Sequence, residues 1–157
     1  MLWRPYHLIV ENRLRTLFAA ISSGNAEPIL ATFAPRHEHI FIGQHALGGR
    51  RTSLAATRKW YERLLRLLPD ISFEVIRVEV RGPPWNTVAL ADWNETNSGT
   101  DGVRTANSGL HVVHLAWGRM SRLQIITDTF ALQETLDRLA RAGVKEAHAP
   151  PITDDSS

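Results

Sequence analysis

The spacing of apolar positions changes period along this chain, and each change marks an element. From Tyr6 to Ser22, Leu8, Ile9, Leu14, Leu17, Phe18 and Ile21 recur at helical intervals with Glu11, Arg13 and Arg15 between them, which predicts an amphipathic helix. Ser22 to Asn25 stops it, and Ala26 to Phe33 reads as a short second helix with Pro28 in its first turn. His37 to Ile42 alternates like a strand, and Gly43 to Gly49 is a loop. Ser53 to Leu68 predicts the longest helix, with Ser53 as N-cap and Trp60, Leu64, Leu67 and Leu68 on its buried side. Beyond Pro69 the period becomes two. Ile71 to Val80, Thr87 to Thr96, Leu110 to Trp117 and Met120 to Thr127 read as strands of a meander, with Arg81 to Pro84 and Gly118-Arg119 as turns. Phe130 to Ala142 reads as a closing helix.

Helices first and antiparallel strands afterwards define an α+β domain with helices over one face of a sheet. The 157 residues fit one core, placed at residues 1–144, with residues 145–157 expected to be a flexible tail that has nothing to bury. No cysteine is present, which excludes disulfides and thiolate sites and fits a reducing, cytoplasmic setting. No apolar run reaches the roughly 20 residues of a membrane span, and the N-terminus lacks a signal-peptide pattern, so a soluble protein is expected. The formal charge is only +2, with arginines interleaved among acids, which disfavours nucleic acid as a partner.

Four segments carry a family likeness: Leu68-Pro-Asp-Ile-Ser-Phe-Glu74, Val78-Glu-Val-Arg-Gly-Pro83, Gly118-Arg-Met120, and Thr127-Asp-Thr-Phe130 before a Leu-rich helix. Together with the element order, they resemble the SnoaL-like polyketide cyclases of the nuclear-transport-factor-2-like superfamily over roughly Leu8 to Gly143. The resemblance implies a cone-shaped fold: a curved antiparallel or mixed sheet wrapped by three to four helices around a central pocket, often in a homodimer. The superfamily includes cyclases, isomerases, epoxide hydrolases and proteins without catalysis, so a reaction has to be argued from the site.

Alternation along strands yields a pocket list. Leu123 and Ile125 on the last strand, and His111, Val113 and Leu115 before it, are expected inside. Matching Thr87 to Thr96 to the family's pocket-lining strand puts Leu90, Asp92 and Asn94 inside, beside His111. His37, His39 and Phe41 face the same space, and Trp60 comes from the long helix. The outer face, with Trp93, Val112, His114, Gln124 and Ile126, is the expected dimer contact.

In the SnoaL-like cyclases the catalytic aspartate lies seven residues after the hairpin glycine, with a histidine seven before it. Counted from Gly118, the histidine is His111 and the aspartate position is Ile125. Asp128 is the nearest replacement, but an N-cap of the closing helix is the simpler role. The leading expectation is a cofactor-free cyclase or isomerase for a small apolar or aromatic, carbonyl-bearing molecule. His111 and Asp92 would move protons, and Asn94 or His39 would bond an enolate oxygen. The alternatives are a non-catalytic binding module and, third, an epoxide hydrolase. His37, Glu38 and His39 do not have the convergence of a metal site, and are expected to be a partly exposed strand end. Arg50, Arg51, Arg63 and Arg66 are expected to be solvated, and the tryptophans to serve core or dimer interface.

Overall fold

The computed structural model describes residues 2–156. Its elements are α1 (Arg4–Ser22), α2 (Glu27–Thr32), β1 (Phe33–Phe41), β2 (Gly49–Arg51), α3 (Leu54–Leu67), β3 (Ser72–Arg81), β4 (Thr87–Asn97), β5 (Thr105–Ala116), β6 (Arg119–Thr127) and α4 (Thr129–Arg141), followed by a 3-10 turn at Lys145–His148. The six strands form one open sheet in the order β2-β1-β6-β5-β4-β3. β1 and β6 run parallel, and every other neighbouring pair is antiparallel. The sheet is therefore mixed, and α1, α3 and α4 pack against β3, β1 and β5 respectively.

Local chemistry explains most boundaries. α1 starts two residues before the predicted point because Pro5 suits a first helical turn, where its missing N–H leaves no bond unmade. Leu14, Leu17, Phe18 and Ile21 are buried as their spacing predicts, whereas Leu8 and Ile9 are exposed and Val10 is buried in their place. Ser53 caps α3, its hydroxyl accepting from the Ala56 N–H. The last hairpin turns at Trp117-Gly118, one residue earlier than expected. Both have positive φ, +53° and +78°, the backbone that a right-twisted two-residue hairpin requires.

Three segments depart from the sequence reading. β1 begins at Phe33 rather than His37, and β2, a strand of three residues, lies at the end of the predicted loop. β4 and β5 extend to Asn97 and from Thr105, which shortens the expected connection. Thr105 to Ser108 sit where the sheet meets solvent, so they lack the apolar alternation that marks a strand.

The third departure is the C-terminus. Residues 145–156, expected to be a free tail, are docked: Ala147 and Ile152 are buried, and the Arg51 Nε–H donates to the Ile152 carbonyl at 2.9 Å. The Asp154 carboxylate accepts from the backbone N–H groups of Thr52 and Ser53 at 2.8 and 2.9 Å, which holds its pKa well below the usual carboxylate range. Arg63 and Arg66 share the Glu146 carboxylate. Arg51 is thus fully buried, against the expectation of a solvated charge. A segment held by main-chain carbonyls, one isoleucine and one aspartate has no hydrophobic period to reveal it.

Candidate active site in the cavity between sheet and helices

Strand parity decides which side chains meet. On β5, His111, Val113 and Leu115 are buried, and on β6, Leu123 and Ile125, so both strands face inward as predicted. β4 does not. Its buried set is Thr87, Ala89, Ala91, Trp93, Glu95 and Asn97, while Leu90, Asp92 and Asn94 face outward. The pairing register explains this: His111 lies opposite Ala91, and Asp92 opposite Leu110. Residues directly opposite share a face, so an inward His111 requires an outward Asp92. The Asp92 carboxylate instead accepts from Arg77 at 2.8 Å on the outer surface. Trp93, expected at a dimer contact, points inward.

The helices and the inner face of the sheet surround a cavity that opens to solvent at one end. Its lining is almost wholly apolar, with Phe18, Phe41, Trp60, Val113, Leu123 and Ile125 among its walls. The predicted lining residues Phe41, Trp60, Val113, Leu123 and Ile125 therefore come together, whereas Leu90, Asp92 and Asn94 do not join them. Its partly exposed liners, Phe73, Asn107 and Thr127, place the mouth where β4 ends and β5 begins.

Three titratable groups line this space: His111, Glu95 and Tyr61. Burial pushes the His111 imidazole down to about 3, so it is neutral near pH 7, and among the described residues no carboxylate stands beside it, whereas the expected pairing with Asp92 required one. Its Nδ1 accepts the indole N–H of Trp93 at 2.8 Å, which leaves the ring proton on Nε2. Among the described residues nothing accepts from Nε2, so His111 offers a hydrogen-bond donor. Gly109 makes this arrangement possible: a Cβ there would lie 2.5 Å from both the Trp93 ring and the Ile126 carbonyl.

Glu95, on the face of β4 expected to be outer, is the only carboxylate among the lining residues described. Desolvation raises its pKa to about 7, although Asn97 Nδ2 donates to its Oε1 at 2.7 Å. Asn97 is held in that orientation because its Oδ1 accepts from the Gly99 N–H and the Thr105 hydroxyl. Glu95 pairs with Asn107, four residues from His111 along β5, so the two groups stand on the order of 13 Å apart along the strands.

His37 and His39 are buried, not the partly exposed strand end expected. Both ring nitrogens of His37 are engaged, by the Ala34 carbonyl and the Thr57 hydroxyl, and Glu38 pairs with Arg50 on the other face. Their contacts are structural, with no shared focus for a metal. His39 packs behind Trp60 and Tyr61, its ring 4.5 and 5.4 Å from theirs. Tyr61 is a second lining residue missed from the sequence; it precedes the buried Leu64 by three and Leu68 by seven, a helical spacing that marks it as inward. Asp128 is the N-cap of α4, its Oδ1 accepting from the N–H groups of Phe130 and Ala131, both at 3.1 Å.

A mixed open sheet with helices closing one face over an apolar hollow is the nuclear-transport-factor-2-like architecture, and solved structures of that class superimpose on it. The SnoaL-like domain matches residues 14–123, and the chain belongs to that family. PrhC from Penicillium brasilianum NBRC 6234 is similar at a TM-score of 0.71 and 15% identity, over 87% of this chain and 89% of that one. A protein assigned as a SnoaL-like polyketide cyclase from Jannaschia sp. CCS1 gives 0.66 and 16%, over 83% and 93%. TerC, crystallised with polyporic acid, gives 0.61 and 18%, over 80% and 96%. At these identities the likeness is one of fold. No curated protein matches the sequence.

Proposed function

We propose that this protein binds a small, mostly apolar, carbonyl-bearing molecule in the cavity and catalyses proton transfer on it without a cofactor, as a cyclase or isomerase. The observation that carries the reading is Glu95: a carboxyl facing an apolar hollow and poised at about 7. A base whose pKa lies near the operating pH both removes and returns a proton efficiently. In this reading Glu95 takes the proton alpha to the carbonyl, the role first expected of Asp92. The Nε2–H of neutral His111 donates to a ligand oxygen on the far side. That TerC was crystallised with polyporic acid supports a small-molecule ligand.

Exchange of the alpha protons of 2-tetralone in D2O, followed by NMR, tests this. The expected result is acceleration by the wild type, a loss of about 100-fold or more in Glu95→Gln, and no change in Asp92→Asn. Equal rates in the wild type and Glu95→Gln would refute the assignment.

A second reading is favoured by Ile125, which occupies the family's aspartate position and lines the cavity: a binding module without catalysis. It predicts 2-tetralone binding with exchange no faster than in buffer. Hydrolysis of an epoxide between two carboxylates ranks below both, since Glu95 has no second lining carboxylate among the described residues.

A further inference from the structure

Two buried polar atoms beside the cavity have no protein partner among the described residues: His39 Nε2 and Tyr61 Oη. Their residues are 0% and 3% exposed, and their rings stand 5.4 Å apart, nearly perpendicular. Leaving such atoms unpaired costs about 1–3 kcal/mol each, which a bonded oxygen would recover.

The proton on His39 is fixed by its other side. Arg51 Nη1 donates to His39 Nδ1 at 2.6 Å, so Nδ1 is the acceptor and Nε2 carries the hydrogen. Arg51 is itself fully buried; its remaining bonds run to the carbonyls of Gly48 and Ile152, and its guanidinium sits 5.7 Å from the Trp60 ring. Among the described residues no carboxylate bonds it directly; burial lowers its pKa to about 10, outweighing the nearby Asp154 carboxylate, which favours its charge. A cation bonded to Nδ1 polarises the ring and strengthens the Nε2–H as a donor. Tyr61, whose hydroxyl burial holds well above the ordinary tyrosine range, stays a neutral donor. Tyr61 lines the cavity and His39 stands behind it.

We propose that Arg51, His39 and Tyr61 form a second polar subsite, which receives an electron-rich oxygen of the ligand, such as an enol, phenol or carbonyl oxygen. It is distinct from the Glu95 end: Glu95 lies near the mouth, whereas Tyr61 comes from the middle of α3 and His39 pairs with Leu123 deep in the sheet. This deepens the functional reading and rests on it only in requiring that the cavity accept a ligand. The ligand class that follows is an apolar ring system oxygenated at both ends.

Binding of 2-naphthol and of naphthalene, followed by quenching of tryptophan fluorescence, separates the possibilities because the two probes differ by one hydroxyl. The expected result is a roughly tenfold preference of the wild type for 2-naphthol, the worth of about one net hydrogen bond. Tyr61→Phe should abolish that preference and leave naphthalene binding unchanged. Because the lost hydroxyl has no partner in the free protein, this variant should melt no lower than the wild type. Naphthalene binding with no preference for 2-naphthol would overturn the subsite, as it would if the two atoms permanently held a water. A preference that survives Tyr61→Phe but vanishes in Glu95→Gln would also overturn it, by placing the oxygen at the mouth. Failure of both probes to bind would sink the functional reading as well.

Discussion

Replacing Glu95 by glutamine tests the central electrostatic claim without requiring a known substrate. Burial holds this carboxyl at about 7 rather than the 4.5 ordinary for glutamate. A carboxyl raised in the folded state contributes stability that is fully present below pH 4.5 and is lost as pH climbs to about 7. Above that pH the folded protein carries a poorly solvated charge that the unfolded chain carries freely. The difference corresponds to about 3 kcal/mol as an upper figure, because Glu95 keeps its bond from Asn97. His111 acts in the opposite sense: its pKa is depressed, so its contribution is present above about 6.5 and is lost as pH falls toward about 3. The wild-type profile therefore mixes two opposing terms, and only the difference between wild type and Glu95→Gln isolates the carboxyl. Thermal or urea unfolding of both proteins between pH 4 and pH 9 should give curves that coincide at the acid end and separate with a midpoint between 4.5 and 7, glutamine becoming the more stable. For a domain of this size the separation is worth roughly 6–12 °C in Tm. Parallel profiles across the whole range would mean that Glu95 is solvated and that the cavity lacks its base.

Other substitutions probe separate parts of the structure. Gly109→Ala should destabilise by about 1–3 kcal/mol and displace the Trp93 ring, read as a shift in tryptophan emission; an unchanged spectrum and Tm would contradict the close approach. Asp92→Asn should change stability by less than about 1 kcal/mol, because the bond to Arg77 joins two well-exposed side chains. Deleting residues 150–157 removes Ile152 and Asp154 and strips a bond from buried Arg51, and should cost at least about 2 kcal/mol; an unaltered denaturation midpoint would show that the docked segment contributes nothing. A homodimer through the outer face around Val112, His114, Gln124 and Ile126 should appear in light scattering at micromolar concentration and weaken in Ile126→Lys.

Period and punctuation in the sequence determined a great deal. The helical spacing of Leu14, Leu17, Phe18 and Ile21, the caps at Ser53 and Asp128, and the alternation of Leu123 and Ile125 depend on neighbours a few residues away, so the α+β class and most element positions were legible. Motifs also pointed to the family. What the tertiary structure alone decided is which groups share the hollow. A strand with apolar residues on both faces, such as β4, has no local preference for either one. Its parity is set by pairing with β5, and a one-residue slip exchanges Asp92 for Trp93 and Glu95. The same holds for Arg51 and the C-terminal segment, whose burial comes from carbonyls about a hundred residues away in sequence. Local pattern fixes what a segment becomes, whereas the environment that moves Glu95 toward neutrality exists only after distant strands and helices have excluded water from it.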